Sequence, residues 1–168
     1  GTLWRWSTRA VGRPVLFNAD TTWQQISAGY NFYAGIKSDG TLWTWGNNDY
    51  GQLGNGTTTF SFYPIQVGTD NNWKQVSCGE GHIAAVRMDG TLWLWGRNQY
   101  GQMGAGTNRT NRTTPAQMGS ATNWIQVAAG EYGTTMKTSL NTLWIVGSCY
   151  NTTENSAPHQ IGSGPDWK

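Results

Sequence analysis

Charged residues are scarce in this chain, and their scarcity limits the partners that it could bind. Of its 168 residues, 11 are lysine or arginine and 9 are aspartate or glutamate, which gives a net charge of +2. Charged residues make up 12% of the sequence, about half of the usual share. Because a phosphate backbone requires clustered basic side chains, no nucleic-acid partner is expected. The surface must instead be solvated by neutral polar groups.

Long hydrophobic runs are also missing. No stretch approaches the roughly 18 apolar residues that cross a bilayer, so no membrane insertion is expected. The first residues open on a repeated strand pattern rather than on a signal peptide. Targeting is therefore either absent or carried by sequence outside these residues. No stretch of about 12 residues has the three-and-four apolar spacing of a helix, which excludes a helical solenoid.

Cysteine is rare, with two residues in the chain. Cys78 belongs to an apolar strand in which the matching positions of other repeats are Ala28 and Ala129. This favours a small buried thiol over a reactive one. Cys149 falls in a loop of a different repeat, so no disulfide bond between the two is expected.

Tryptophan, by contrast, is abundant, and its positions repeat. The segment Gly-Thr-Leu-Trp-Thr-Trp-Gly at 40–46 recurs nearly unchanged at 90–96, with Trp4, Trp6 and Trp144 continuing the series. A second series precedes short apolar strands, at Trp23, Trp73, Trp124 and Trp167. A repeat of this kind cannot bury its own apolar face and must stack on its neighbours. Most of the indoles are therefore expected to pack between repeats.

The periodicity divides the chain into a single repeat array over residues 1–168. It contains a shortened repeat at 1–39, full repeats at 40–89 and 90–140, and a partial repeat at 141–168. The shortened repeat has lost an exterior loop rather than a strand. We expect the array to be part of a longer chain.

The second repeat predicts four strands, at 41–45, 63–67, 73–78 and 82–88. The pairs Asp39-Gly40, Asp89-Gly90 and Leu140-Asn141 predict two-residue type I′ turns between neighbouring strands. Four antiparallel strands in about 50 residues is typical of a propeller blade.

Two long motifs make a family resemblance specific. Residues 45–56 and 95–106 share Trp-Gly, Tyr-Gly-Gln and two further glycines at the same spacing, and residues 76–82 lead into an apolar strand that ends at Asp89-Gly90. These segments resemble the regulator of chromosome condensation repeat family. The resemblance implies an all-β fold, a β-propeller usually of seven blades. About three and a half four-stranded blades are present, which makes an incomplete ring. The family histidine occurs once, as His82, with Phe32 and Gly133 at its place in other repeats.

Residues that could carry chemistry are better explained by structure. The glycine-rich loops lack the Gly-Lys-Ser/Thr of a nucleotide site, and they predict tight turns. Asp39 and Asp89 are interpreted as hairpin residues, and His82 as a strand-entry side chain bonded to backbone. His82 and His159 have no ligand-like spacing. The sequence therefore predicts no catalytic residues, no metal site, no cofactor and no enzymatic activity.

Recognition is expected to use residues that differ between repeats. Glu80 and Glu131 match each other as a possible acidic contact pair, whereas Arg97, Arg109 and Arg112 are interpreted first as a solvated loop. The candidate binding residues are Tyr30, Phe32, Phe60, Phe62, Tyr63, Arg109, Arg112, Glu131 and Tyr132.

Three classes of function remain open. The leading hypothesis is a non-enzymatic structural or protein-binding module, a segment of a bacteriophage virion or bacterial surface protein, located extracellularly or on the virion surface. Its partners would be proteins, including missing blades of the same or another chain. The family resemblance also implies a guanine-nucleotide exchange or chromatin-type regulator, although neither an insertion wedge nor a basic tail is visible. The third class is a carbohydrate-binding module that recognises a surface glycan through aromatic loops.

An incomplete propeller predicts self-association of the isolated chain, because open apolar faces and sheet edges attract other chains. Gel filtration should show elution ahead of the volume of a monomer. A monodisperse monomer with one cooperative unfolding transition would contradict this expectation.

Overall fold

The computed structural model describes residues 2–5, 15–148 and 155–162. Trp6, Cys149 and Trp167, together with the shortened loop at 7–12, lie outside these residues. Every regular element within the described ranges is a strand. The strands are β1 (Leu3–Arg5), β2 (Val15–Asn18), β3 (Trp23–Ala28), β4 (Phe32–Lys37), β5 (Leu42–Gly46), β6 (Ser61–Gln66), β7 (Trp73–Cys78), β8 (His82–Arg87), β9 (Leu92–Gly96), β10 (Arg112–Gln117), β11 (Trp124–Ala129), β12 (Gly133–Thr138), β13 (Leu143–Gly147) and β14 (Asn155–Ile161).

Twelve of these strands form three four-stranded antiparallel sheets, here named blade 1 (β3–β6), blade 2 (β7–β10) and blade 3 (β11–β14). β1 and β2 form a separate antiparallel pair. The first strand of each blade is its inner strand, since β7 packs on β3 and β4, and β11 packs on β7 and β8. The all-β propeller with an unclosed ring is confirmed. A sequence repeat that starts at Gly40 starts in the middle of blade 1, so its four strands are shared between two sheets.

Each blade has two faces because successive side chains of a strand point to opposite sides. The side that faces the next blade is called the forward face, and the opposite side the backward face. One core lies between blades 1 and 2, where Phe32, Ile36 and Leu42 meet Trp73, Val76 and Ile83. A second core lies between blades 2 and 3, where Val86, Leu92 and Leu94 meet Trp124, Val127 and Met136.

The tryptophans are packed largely as expected. Trp95 is 0% exposed and Trp73 is 1% exposed, and both belong to the core between blades 1 and 2. Trp4 is the exception among the described indoles, with 55% of its surface exposed. Since one indole buries about 150 to 250 Å², these side chains supply much of the apolar area that joins the blades.

The turns after β4, β8 and β12 differ from the type I′ turns that the sequence predicted. A type I′ turn requires positive φ at both central residues, but Gly40 has a φ of 80° while Asp39 is not in that region. The N–H of Gly40 donates to the carbonyl of Lys37 over 2.9 Å, so the loop is one residue longer than expected. Asp39 serves the turn with its carboxylate instead, which accepts the backbone N–H and hydroxyl of Thr41 over 3.0 and 2.6 Å. These bonds lower the pKa of Asp39.

Blades 1 and 2 each carry a cation that packs on a tryptophan ring and pairs with a carboxylate. The ammonium of Lys37 lies 4.0 Å from the ring centroid of Trp43 and 2.7 Å from a carboxylate oxygen of Asp20. Arg87 takes the equivalent place in blade 2, paired with Asp70. Blade 3 has lost both partners together, because threonine and alanine stand at the matching positions 138 and 121.

Side-chain amides join neighbouring blades at the inner strands. Gln25 donates through Nε2 to the carbonyl of Val76 over 3.0 Å and accepts the N–H of Val76 over 3.0 Å. Gln75 makes the same pair of bonds with Val127, at 3.1 and 2.9 Å. The hydroxyl oxygen of Ser27 accepts a hydrogen bond from the backbone N–H of Cys78 in the next blade over 2.9 Å. Each glutamine thus satisfies backbone groups that would otherwise be buried without partners.

Replacing Gln75 with alanine should lower the free energy of unfolding by about 2 kcal/mol, because two hydrogen bonds are lost and Val127 keeps unpaired backbone groups. Chemical denaturation followed by tryptophan fluorescence measures the change. Lys74→Ala, at the exposed neighbouring position, is the control and should change stability by less than about 0.5 kcal/mol. Equal effects of the two substitutions would contradict this role for Gln75.

Candidate functional site

The loops that follow β5 and β9 are built around buried polar side chains. The carbonyl oxygen of the Asn48 side chain accepts the N–H of Leu53 over 2.9 Å. The side chain of Gln52 accepts the N–H of Tyr50 over 2.9 Å. The loop after β9 repeats both bonds and holds Tyr100 in the same way. These internal bonds fix the loop backbone and place both tyrosines at the same end of neighbouring blades.

Glycines let these loops fold tightly onto the next blade, as the sequence predicted. Gly54 has a φ of 69°, and the indole of Trp95 occupies the place that a Cβ would need. Leu53 is 0% exposed and inserts into the core between blades 1 and 2. The indole N–H of Trp95 donates to the carbonyl of Gln52 over 2.9 Å. The loop therefore links its own blade to the following one.

In the interface between blades 2 and 3, a different residue bonds to the equivalent loop carbonyl. Val146 stands where blade 2 has Trp95, so no indole reaches the carbonyl of Gln102. The hydroxyl of Thr134 donates to that carbonyl instead, over 3.2 Å. The loop carbonyl is satisfied in both interfaces.

An arginine sits between two tyrosines on this end of the molecule. The guanidinium carbon of Arg97 lies 5.0 Å from the ring centroid of Tyr50 and 5.0 Å from that of Tyr100. Its Nη1 donates to a carboxylate oxygen of Glu80 over 2.9 Å. Cation–π contacts and an ion pair together hold the side chain in one orientation.

The row of aromatic side chains continues onto blade 3. The rings of Tyr100 and Tyr132 are 4.5 Å apart between centroids. A hydrogen bond with Glu131, together with smaller effects, raises the pKa of Tyr132 to about 12. Its phenol thus stays protonated at neutral pH. We name this row the tyrosine–arginine ridge, and its members are Tyr50, Glu80, Arg97, Tyr100, Glu131 and Tyr132.

The ridge draws on all three blades. Tyr50 comes from the loop after β5, Arg97 and Tyr100 from the loop after β9, and Glu131 and Tyr132 from the turn after β11. One guanidinium and two carboxylates give the ridge a net charge of −1 at neutral pH. The arrangement is a preformed polar and aromatic surface.

The structure brings two of the predicted binding residues, Glu131 and Tyr132, onto the ridge. Tyr30 occupies the corresponding turn of blade 1 and is 70% exposed. The prediction for Phe32 is wrong, because its side chain is 0% exposed in the core between blades 1 and 2. A side chain buried there is not available to a partner.

The remaining predicted residues lie before or on the fourth strands of blades 1 and 2. Phe60, Phe62 and Tyr63 are exposed, and the first two line an apolar cleft of about 670 Å³ on the backward face of blade 1. Arg109 and Arg112 are half-buried in the corresponding segment of blade 2.

Sequence reasoning missed Tyr50 and Tyr100 because both belong to the shared repeat motif. It also interpreted Arg97 as part of a solvated loop, which is wrong, since its side chain is 13% exposed and paired with Glu80. The available signal was the change from Asn47 to Arg97 at one position, next to a tyrosine and opposite an acidic turn.

His82 lies between blades 2 and 3 and is 0% exposed. Its Nε2 is 3.0 Å from the hydroxyl oxygen of Thr134, so the predicted bond from this side chain to backbone is wrong. The Thr134 proton is directed to Gln102, and its oxygen therefore accepts from Nε2–H of a neutral imidazole. Burial lowers the pKa of His82 to about 4, with a further contribution from Arg97.

Cys78 is buried and is not part of a disulfide bond, as expected, and burial raises the pKa of its thiol to about 12. Within the described ranges, no group of three or more histidine, cysteine or acidic side chains has the arrangement of a metal site. The same part of the chain contains no helix with the length and apolar character to cross a membrane.

The comparisons with known families agree with this architecture. A family model described as Regulator of chromosome condensation (RCC1) repeat matches residues 39–86 and 89–136. The chain belongs to this family. A second model of the same description matches residues 23–52 and 73–102 of the RCC1 repeat array. A search of curated proteins found no match.

Solved structures share the fold of the array. The crystal structure of human WBSCR16 aligns with a TM-score of 0.78 and 22% identity over 89% of this chain and 40% of that one. Prp20p from Saccharomyces cerevisiae aligns with a TM-score of 0.78 and 18% identity over 92% of this chain and 41% of that one. A structure of Kap60 bound to yeast RCC1 (Prp20) gives a TM-score of 0.74 and 21% identity, covering 88% and 39%. The array thus spans about two fifths of the length of these relatives.

The buried His82 predicts that the array loses stability in mild acid. Its pKa is about 4 in the folded chain and 6.5 at its ordinary value, so the unfolded chain binds more protons between these limits. Stability should fall as pH drops from 6.5 to 4, by about 3 kcal/mol in total. Denaturation midpoints at pH 7 and 5 measure the loss.

His82→Phe is the comparison variant, since phenylalanine fills the same position in blade 1 as Phe32. Its stability should change less between pH 7 and 5 than that of the unmodified array. An identical pH dependence in both proteins would contradict the assignment.

Proposed function

We propose that this RCC1 repeat array is a non-enzymatic protein-binding module and that it binds through the tyrosine–arginine ridge. The observation that carries the proposal is the placement of Arg97 between Tyr50 and Tyr100, at 5.0 Å from each ring. Tyrosine and arginine are enriched at protein interfaces, where they contribute much of the binding energy. Because the ridge is already ordered by its own contacts, its side chains lose little conformational entropy when a partner binds.

The charge of the ridge favours one kind of partner surface. Glu80 and Glu131 outnumber Arg97, which leaves a net charge of −1 at neutral pH. A neutral or weakly basic protein surface with hydrogen-bonding side chains complements this pattern. The phenol of Tyr132 stays protonated and hydrogen-bonded to Glu131, and its oxygen can accept a hydrogen bond from a partner.

The polar groups that could perform chemistry serve the scaffold, which supports a non-catalytic role. His82 is committed to Thr134 of the next blade. Gln25 and Gln75 bond to the backbone of the following inner strand. Cys78 is buried with a pKa of about 12, which is too high for a reactive thiolate at neutral pH.

We also propose the wider setting of the module as a segment of a bacteriophage virion or bacterial surface protein, located on the virion surface or outside the cell. Its support is compositional, namely 12% charged residues with 11 tryptophans and 23 glycines in a regular repeat. Missing blades, of the same or another chain, are proposed as a second class of partner.

Selection from a random peptide library on the immobilised array tests binding through the ridge. Enriched peptides should bind the Tyr132→Ala variant at least tenfold more weakly, because an aromatic contact of the ridge is lost. Tyr63→Ala is the matched control, since Tyr63 is 69% exposed and lies outside the ridge. If the peptides bind both variants as tightly as they bind the unmodified array, the ridge is not the binding site.

Two further measurements separate the alternatives. A glycan-array signal that the Tyr132→Ala variant loses would favour the carbohydrate-binding class. Accelerated nucleotide release from a small GTPase would favour the exchange-factor class. Membership of the RCC1 repeat family is the reason to test that class.

A further inference from the structure

Blades 2 and 3 receive the preceding blade in the same way. The backbone of Val76 pairs with the amide of Gln25, and the backbone of Val127 pairs with that of Gln75. The two valine side chains are 1% and 3% exposed as a result. Ile26 holds the equivalent position in blade 1 and is 43% exposed. Ile26 on the backward face of blade 1 is therefore in the position that pairs with a preceding blade, but no strand covers it in the described part of the chain.

The uncovered face forms the apolar cleft of about 670 Å³. Ile26, Ala28 and Tyr33 line one wall, and Leu3, Trp4 and Phe17 belong to the strand pair β1–β2. Tyr33 is 42% exposed, whereas its equivalent in blade 2, Ile83, is 0% exposed. The polypeptide that covers this face in the other blades is an inner strand pair.

β1 leaves room for such a pair at its edge. Residues 1–4 match residues 40–43, which makes β1 the equivalent of β5. β5, β9 and β13 each pair with a strand on both sides, whereas β1 pairs with β2 alone among the described strands. The open edge and the apolar cleft adjoin each other, because Leu3 and Trp4 of β1 line the cleft.

We propose that this cleft binds the inner β-hairpin of another repeat of the same kind, with one strand paired to β1 and the other lying on β3. The hairpin presents a glutamine whose amide bonds to the N–H and C=O of Ile26. Its apolar residues cover Ile26 and Tyr33. The proposal rests on missing blades as a partner class, and it names the residues that receive them.

The forward faces within the chain define which hairpin fits. Blade 1 presents Phe32, Ala34 and Ile36 from β4, and all three are buried in the core. Blade 3 carries glycine, threonine and lysine at the matching positions 133, 135 and 137. An ammonium group facing an apolar cleft costs desolvation energy without a partner. A hairpin with apolar residues at these positions, as in blade 1, therefore fits the cleft. A second copy of the array that docks through blade 3 does not.

The chain supplies its own probes for this site. A copy of residues 23–39 placed directly before Gly1 recreates the natural Asp39-Gly40 junction as Asp-Gly. We expect this extension to raise the thermal unfolding midpoint by at least about 4 °C. An extension with a copy of residues 124–140 is the matched control and should give little or no rise. Equal midpoints for the two extended chains would overturn the proposal.

Two variants locate the contact. Gln25→Ala within the added copy should remove most of the rise, because both bonds to the Ile26 backbone are lost. A synthetic peptide of residues 23–38 should bind the unextended array at least tenfold more weakly after Ile26→Asp. Ile125→Asp is the control, since Ile125 is 37% exposed on β11 and lies outside the cleft. A rise that survives the Gln25→Ala change, or peptide binding insensitive to Ile26→Asp, would overturn the assignment.

The ridge variant keeps this test separate from the proposed function. Tyr132→Ala should leave both the thermal rise and the peptide affinity unchanged. Loss of peptide-library binding in that variant with retained hairpin docking would show two independent surfaces. If hairpin docking fails while ridge binding persists, the cleft proposal alone is overturned.

Discussion

Burial of each blade against its neighbour is the constraint on which the rest of the structure depends. A four-stranded sheet of this size has two apolar faces and no core of its own, so its stability is shared with the sheets on either side. The indoles supply area, and Gln25 and Gln75 add a directional bond that fixes the register between inner strands. Blade packing thereby also positions the loops, because Leu53 is anchored in the core between blades 1 and 2.

The same constraint explains how the repeats have diverged. Phe32 and His82 occupy equivalent positions. Phe32 packs in the apolar core between blades 1 and 2, whereas His82 contacts Thr134 between blades 2 and 3. Where Trp95 is replaced by Val146, the hydroxyl of Thr134 takes over the bond to the loop carbonyl. The cation and its carboxylate on the edge of blades 1 and 2 are lost together in blade 3. Residues change in sets at these positions because a polar or charged group that loses its partner in or beside the core costs free energy.

Function in such a scaffold is confined to groups that packing leaves free. The ridge uses side chains from three blades, so its geometry exists only when the blades are assembled. The cleft on blade 1 is a different kind of surface, since its residues have packing counterparts in blades 2 and 3. We propose the ridge as a site for a partner of different chemistry and the cleft as a site for more of the same fold.

The amino-acid sequence by itself determined the blade. Tryptophan spacing, alternation in segments such as 73–78 and the Asp-Gly pairs predicted the strands and their antiparallel order, because these are local properties of the chain. The turn type was predicted wrongly, since the bond from Gly40 to Lys37 depends on how the strands meet. Only the tertiary structure decided that Phe32 is buried and that Arg97 lies between two tyrosines, because both outcomes depend on contacts across about 50 residues of sequence. Local periodicity specifies a sheet, but the neighbouring sheet decides which of its side chains remain at the surface.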